Sequence, residues 1–151
     1  MTVDYLVSSL PPLVFGEPAP ITRERFREAA GGDPLQGCAA WKDLETQLKN
    51  ARAEARGGGD KWSRPATGCS LYWKNRVLAA FQEKDVGKRE ELLDRVWWDA
   101  AGELVPPESP LGKGALEAYA VRLEIALRRS KISVEAGNAA FDRLTAETRR
   151  D

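Results

Sequence analysis

The sequence reads as an all-α fold, a single compact domain of five or six helices. Three observations carry this reading. Apolar residues recur at spacings of three and four over most of the chain, as one face of a helix requires. Residues that cap helix N-termini stand ahead of these stretches, among them Thr22, Asp33 and Asp85. Glycines and prolines that stop helices fall between them.

The best-patterned stretch runs from Asp85 to Leu104, and the other elements are expected to pack around it. Leu92, Leu93, Val96, Trp97, Ala100, Ala101 and Leu104 form its apolar stripe. Asp85 reads as the N-cap, with Glu90 and Glu91 near the positive end of the helix dipole. Gly102 weakens the last turn and Pro106-Pro107 ends it. Trp98 falls off the stripe, marking either a second contact face or a broad buried surface.

Residues 1–21 form an N-terminal segment with a proline-rich connector. Within it, Val3, Tyr5 and Val7 alternate as in a short extended strand, whereas Leu6 and Leu10 suit one or two helical turns. Pro11-Pro12 stops this segment. The connector over 13–21 is expected to be pinned to the core by Val14 and Phe15. Thr22 caps a short helix, Arg23 to Ala30, with Phe26 inward, and Gly31-Gly32 ends it. Asp33-Pro34 then opens a helix running to about Arg56. Its inward residues are Leu35, Cys38, Trp41, Leu44, Leu48, Ala51 and Ala55.

A glycine-rich linker over 57–68 separates this helix from the next. Gly57-Gly58-Gly59-Asp60 is no phosphate-binding loop: the segment before it is helical, and Lys61 follows Asp60 where that motif needs glycine before lysine. Residues 70–84 are helical, with Leu71, Trp73, Val77, Leu78 and Phe81 apolar, and join the Asp85 helix tightly. Such a helix pair need not bind DNA. Pro106 to Gly114 is a loop. Leu116 to about Arg129 forms the next helix, with Leu116, Tyr119, Ala120, Leu123 and Leu127 inward. Ser133 caps a last helix or restarts a bent one, with Val134, Gly137, Ala140, Phe141 and Leu144 on its inner face and close helix approach at Gly137. Residues 145–151 are a frayed, charged tail.

Composition narrows the function. The 151 residues are 42% apolar and 30% charged, with formal net charge zero. This length supports one domain with a sizeable core. A zero balance gives no support to a general nucleic-acid binder. No apolar run approaches the roughly 18 residues of a membrane span. The N-terminus lacks the basic region of a cleaved signal peptide, so the cytoplasm is expected. Cys38 and Cys69 are too few for a disulfide framework and read as buried or half-buried thiols. The chain has no histidine. That removes Ser-His-Asp and Cys-His catalysis and histidine metal ligation. No catalytic, cofactor-binding or metal-binding residue is expected, and the protein is read as no enzyme.

Two charged sets remain. Between Lys42 and Arg76, basic residues outnumber acidic ones and interleave with Trp41, Trp62, Tyr72 and Trp73, a pattern that suits an acidic protein or lipid surface or a nucleic-acid partner as well as a solvated helix pair. Glu90, Glu91, Asp94 and Asp99 on the central helix are expected to form ion pairs with neighbouring helices. Trp97 and Trp98 point about 100° apart on a helix, so one can sit in the core while the other meets a partner, or both can be buried between three helices.

Three segments carry a resemblance. DYLVSSLPPLVFGEPAPITRERF, through Tyr5, Leu6, Val7, Ser9, Leu10, Pro11, Phe15, Gly16 and Pro18, resembles the opening of a small, uncharacterised bacterial family encoded beside the genes of V/A-type ATPases. ELLDRVWWDAAGEL, through Leu93, Asp94, Arg95, Trp97 and Trp98, resembles that family and a helix of the C-type stalk protein of V/A-type ATPases. The closing stretch resembles the family through Tyr119, Leu123, Ile125, Gly137 and Phe141. The residues between Gly57 and Gly68 and the helix carrying Trp41 match neither, and the chain is much shorter than the C-type stalk protein.

The resemblance implies a non-catalytic stalk component of this C-like type, or an accessory factor. The C-type stalk protein is an all-helical funnel seated on the membrane rotor ring, transmitting torque between head and ring. The partners implied are the stalk and membrane-ring proteins of the ATPase, with no small-molecule substrate and no nucleic acid, and with a peripheral place on the inner membrane face. Arg95, Trp98, Arg56, Lys61 and Arg64 are the candidate partner-binding residues. The alternative is a free-standing helical module whose basic region binds an acidic protein or nucleic acid.

Overall fold

The first helix opens at Thr2, whose hydroxyl accepts from the Tyr5 N–H at 3.4 Å. In the computed structural model, residues 2–57 and 70–150 are described, with side chains as far as Ile132. Helix α1 spans Val3–Ser9. The N-terminal segment is therefore helical rather than extended. It buries only Leu6, leaving Val3 and Tyr5 exposed.

Helix α2, Arg23–Ala30, follows its signals closely. Thr22 accepts from the Arg25 N–H at 3.2 Å, Phe26 is buried, and Gly31 ends the helix with φ +77°. The next helix starts later than its sequence suggests. Asp33 holds a turn, accepting from the Leu35 N–H at 3.0 Å. Gly37 then takes φ +75°, which a continuing helix cannot contain, so α3 spans Ala39–Ala55. It buries Trp41, Leu44, Leu48 and Ala51.

Helix α4, Leu71–Ala80, buries Trp73, Val77 and Ala80 and leaves Leu71 exposed. Helix α5 spans Val86–Ala100 behind the expected Asp85 cap, whose carboxylate accepts from the Lys88 N–H at 3.1 Å. Its last turn tightens into a 3-10 helix, Ala101–Leu104. Helix α6 spans Lys113–Arg150 without a break at Ser133 and covers the expected tail as far as Arg150. Of the linker expected at 57–68, Gly57 turns out of α3 with φ +86°, and residues 58–68, like the inner face expected around Gly137, lie outside the described residues and side chains. Among the described residues there is no strand, so the fold is all-α.

Contacts set the helix directions. Gln47 accepts from the Ser70 N–H, Glu54 pairs with Lys74, and Arg56 lies over Phe81, so α3 and α4 run side by side in one direction. Arg76 pairs with Asp99 and Arg89 lies over Phe81, so α5 returns antiparallel to α4. Arg122 donates to the Trp98 carbonyl and Arg129 pairs with Asp94, so α6 runs antiparallel to α5.

Two apolar clusters result. One gathers Leu48, Val77, Leu93, Val96, Ala100 and Ala101 with their neighbours from α3, α4 and α5. The other joins Leu6 and Phe26 from α1 and α2. Helix α6 walls both. Ala118, Val121, Ile125 and Ala126 enter the first, and Leu116, Ala120 and Leu123 the second. Leu13, Ala19 and Leu35 pack against both clusters. Val14, expected as an anchor, is exposed instead, because its neighbours Leu13 and Phe15 turn inward.

The entry of α6 is the tightest point. A Cβ on Gly114 would stand 1.9 Å from the Leu104 carbonyl oxygen, so only glycine fits. A Cβ on Gly102 would meet just the end of the Arg122 side chain, at 3.3 Å. Gly114→Ala is therefore expected to destabilise the fold by about 1–3 kcal/mol, and Gly102→Ala by less than about 0.5 kcal/mol, as read from thermal or urea unfolding.

Candidate interaction surface

The charged residues of α5 reach α4 and α6. Asp94 accepts from Arg128 and, at 3.1 Å, from Arg129, both on α6. Glu91 adds a longer pair to Arg129 at 3.9 Å. Asp99 pairs with Arg76 of α4 at 2.8 Å and with Arg95 at 3.3 Å. The acidic set thus binds helices together, as expected for Asp94 and Asp99.

These pairs frame the ring of Phe15 from the proline-rich connector. Arg95 and Arg129 stand over it at 5.0 and 4.9 Å, and Trp98 meets it edge-on at 5.5 Å. A cation held over an aromatic face is attracted by the ring quadrupole, so both arginines hold the connector down.

This arrangement corrects the expectation for Trp98. It is buried, 7% exposed, beneath Phe15 and beside Arg122. The buried line on α5 is Leu93, Val96, Trp98 and Ala100, while Leu92, placed on the stripe by sequence, is 44% exposed. The connector and α6 together cover the side of α5 that a single stripe leaves bare. Trp98 therefore offers no free ring to a partner. Arg95 remains half-exposed, with one side on Phe15 and Asp99.

A second set of arginines lies along the end of α3 and at the join of α4 and α5. Arg56 and Arg89 both stand over Phe81, at 5.9 and 5.5 Å. Arg52 stands over Trp97 at 5.5 Å. Arg89 also donates to the Glu83 carbonyl from Nε and Nη2, at 3.1 and 3.0 Å, fixing its fork. None of Arg52, Arg56 and Arg89 pairs with a carboxylate among the described residues. Lys84, Val86 and Lys88 are exposed at the same end. Asp85 and Glu90 are exposed there too, so the arrangement is a strip of arginines on an aromatic footing with a small basic excess.

Of the sequence candidates, Arg56 falls on this strip, Arg95 lies apart beside Phe15, and Lys61 and Arg64 lie outside the described residues. Sequence reasoning missed Arg89 because it belongs to the α5 stretch. Its signal was its place one turn after Asp85, across the tight join from Phe81.

Burial pushes the Cys38 thiol up from its ordinary value, and a hydrogen bond with Glu117 acts the same way. That is opposite to the shift that makes a thiol reactive. Among the described residues no three His, Cys, Asp or Glu are grouped to hold a metal, and no helix is long and apolar enough to cross a membrane. Comparison of the chain with protein-family models, curated proteins and solved structures gives no match.

Removing a buried aromatic from this framework is costly. Trp98→Ala is expected to lower stability by about 3–5 kcal/mol, with a matching fall in unfolding midpoint. Unchanged stability would return Trp98 to the surface.

Proposed function

We propose that this chain is a non-catalytic helical adapter that binds an acidic protein surface through its arginine strip, as a C-like stalk component or accessory factor of a bacterial V/A-type ATPase. The observation that carries the binding reading is the set Arg52, Arg56 and Arg89, held over Trp97 and Phe81 without carboxylate partners among the described residues. Ring contacts pre-order the long side chains, so less freedom is lost when a carboxylate pairs with them. A fixed positive strip also steers an acidic partner and sets its register.

The same geometry favours protein over nucleic acid. Single-stranded nucleic acid needs open aromatic faces for base stacking. Here guanidinium groups stand over both rings.

The ATPase as the assembly rests on the resemblance of the opening segment and of Leu93, Asp94, Arg95, Trp97 and Trp98 to stalk-associated sequences. A cytoplasmic place, peripheral on the inner membrane face, follows from that assembly. A torque-bearing part needs stiff helices. The cross-helix ion pairs of Asp94 and Asp99 suit such a part.

The test is a mild-detergent pull-down of tagged protein from its native host, with mass spectrometry. Wild type is expected to recover ATPase head and ring proteins in fixed proportion. The Arg52→Glu/Arg56→Glu double variant, with unchanged circular dichroism, is expected to lose them. Retention by the variant would reject the strip. Recovery of one unrelated acidic protein would keep the strip and reject the ATPase. Recovery of nucleic acid, or of nothing, would reject both.

A further inference from the structure

A second feature stands apart from the arginine strip and does not depend on it. Arg122 of α6 is half-buried. Its Nε donates to the Trp98 carbonyl at 3.0 Å, and its guanidinium lies 5.7 Å from the Trp98 ring. Among the described residues it has no carboxylate partner of its own. Asp99, the acid whose charge reaches it, is already bonded to Arg76 and Arg95. Burial holds the Arg122 pKa below the usual arginine range, with Asp99 opposing and Arg95 adding to the shift. A cation in that position is short of negative charge.

Arg122 also lines a surface groove of about 370 Å³. Val7, Leu10 and Leu13 from the N-terminal segment, Val105 beyond the 3-10 helix, and Tyr119 of α6 contribute much of the rest. Among the described residues no acid lines it. The Tyr119 hydroxyl is already committed, donating to the Pro11 carbonyl at 2.7 Å. The groove thus sets aliphatic side chains beside polar surface, with one cationic side chain that no carboxylate among the described residues answers.

We propose that this groove binds a small apolar monocarboxylate, a fatty-acid-like anion whose carboxylate pairs with Arg122 and whose chain lies on Val7, Leu10, Leu13 and Val105. Three features select this occupant. A single cation matches a single negative charge, whereas a phosphate dianion would remain undercompensated. The aliphatic side chains of Val7, Leu10, Leu13 and Val105 give a hydrocarbon body its contacts, and the polar surface beside them suits an amphipathic ligand. The volume falls at the low end of the roughly 300–1,000 Å³ of small-molecule sites, while a protein partner would need about 800 Å² of surface on each side.

The probe is sodium octanoate, titrated into the full chain and followed by calorimetry and by amide shifts in NMR. Neutral n-octanol is the control of equal length. Octanoate is expected to saturate one site per chain and to bind about tenfold or more tightly than octanol, the worth of one charge-assisted hydrogen bond. The shifts should centre on Val7, Leu10, Val105 and Tyr119. Arg122→Gln should erase the preference for octanoate, and Ala115→Phe, which fills the groove, should block both probes. Equal affinity for the two probes, no saturable binding, or shifts centred elsewhere would overturn the proposal. Should Arg122→Gln fail to fold, the octanoate-to-octanol ratio on wild type and the Ala115→Phe variant decide the matter.

Discussion

Helix α6 must bury two faces at once, and the rest of the structure depends on that requirement. Ala118, Val121, Ile125 and Ala126 close the cluster built by α3, α4 and α5, while Leu116, Ala120 and Leu123 close the one built by α1 and α2. Bare Gly114 lets α6 start against the Leu104 carbonyl at the end of the 3-10 helix. Neither α1 nor α2 is long enough to stand as a helix alone. Each holds its place by docking an apolar residue, Leu6 or Phe26, on a wall that α6 provides.

Arginine serves two purposes in this frame, although the net charge is zero. Arg128 and Arg129 are answered by Asp94 and join α6 to α5. Arg52, Arg56 and Arg89 are ordered by rings rather than by carboxylates. The arginines answered by Asp94 sit on α6, and the ring-ordered ones on α3 and the start of α5. Composition alone averages that separation away.

Much of the helical order was legible from local chemistry. Thr22 and Asp85 make the cap bonds that their positions suggest, and the spacing of Trp41, Leu44, Leu48 and Ala51 is the buried line of α3. Local pattern misleads where a distant residue or a backbone angle decides. Gly37 at positive φ delays α3. Thr2 capping makes α1 helical where alternation left a strand open. Lys131 and Ile132 carry no helix-breaking feature, so α6 continues through Ser133. The structure takes the buried one of the two readings left open for Trp98, and the cover that decides it, Phe15, is far away in sequence. The arginine strip was only half-visible, since Arg89 and Arg56 meet over Phe81 only once α3, α4 and α5 have packed.

The central claim is that the end of the bundle where Arg56 and Arg89 meet over Phe81, with Arg52 one turn back on α3, is a binding face. Photo-cross-linking in the native host tests it most directly, with a photoreactive amino acid at Val86 on that end and, separately, at Glu28 on the exposed side of α2. Both positions are exposed, so neither substitution disturbs a core contact. The account expects one discrete adduct from position 86, to a partner segment rich in aspartate and glutamate, and no such adduct from position 28. An absence of adduct from position 86, or the same adduct from both positions, would contradict it.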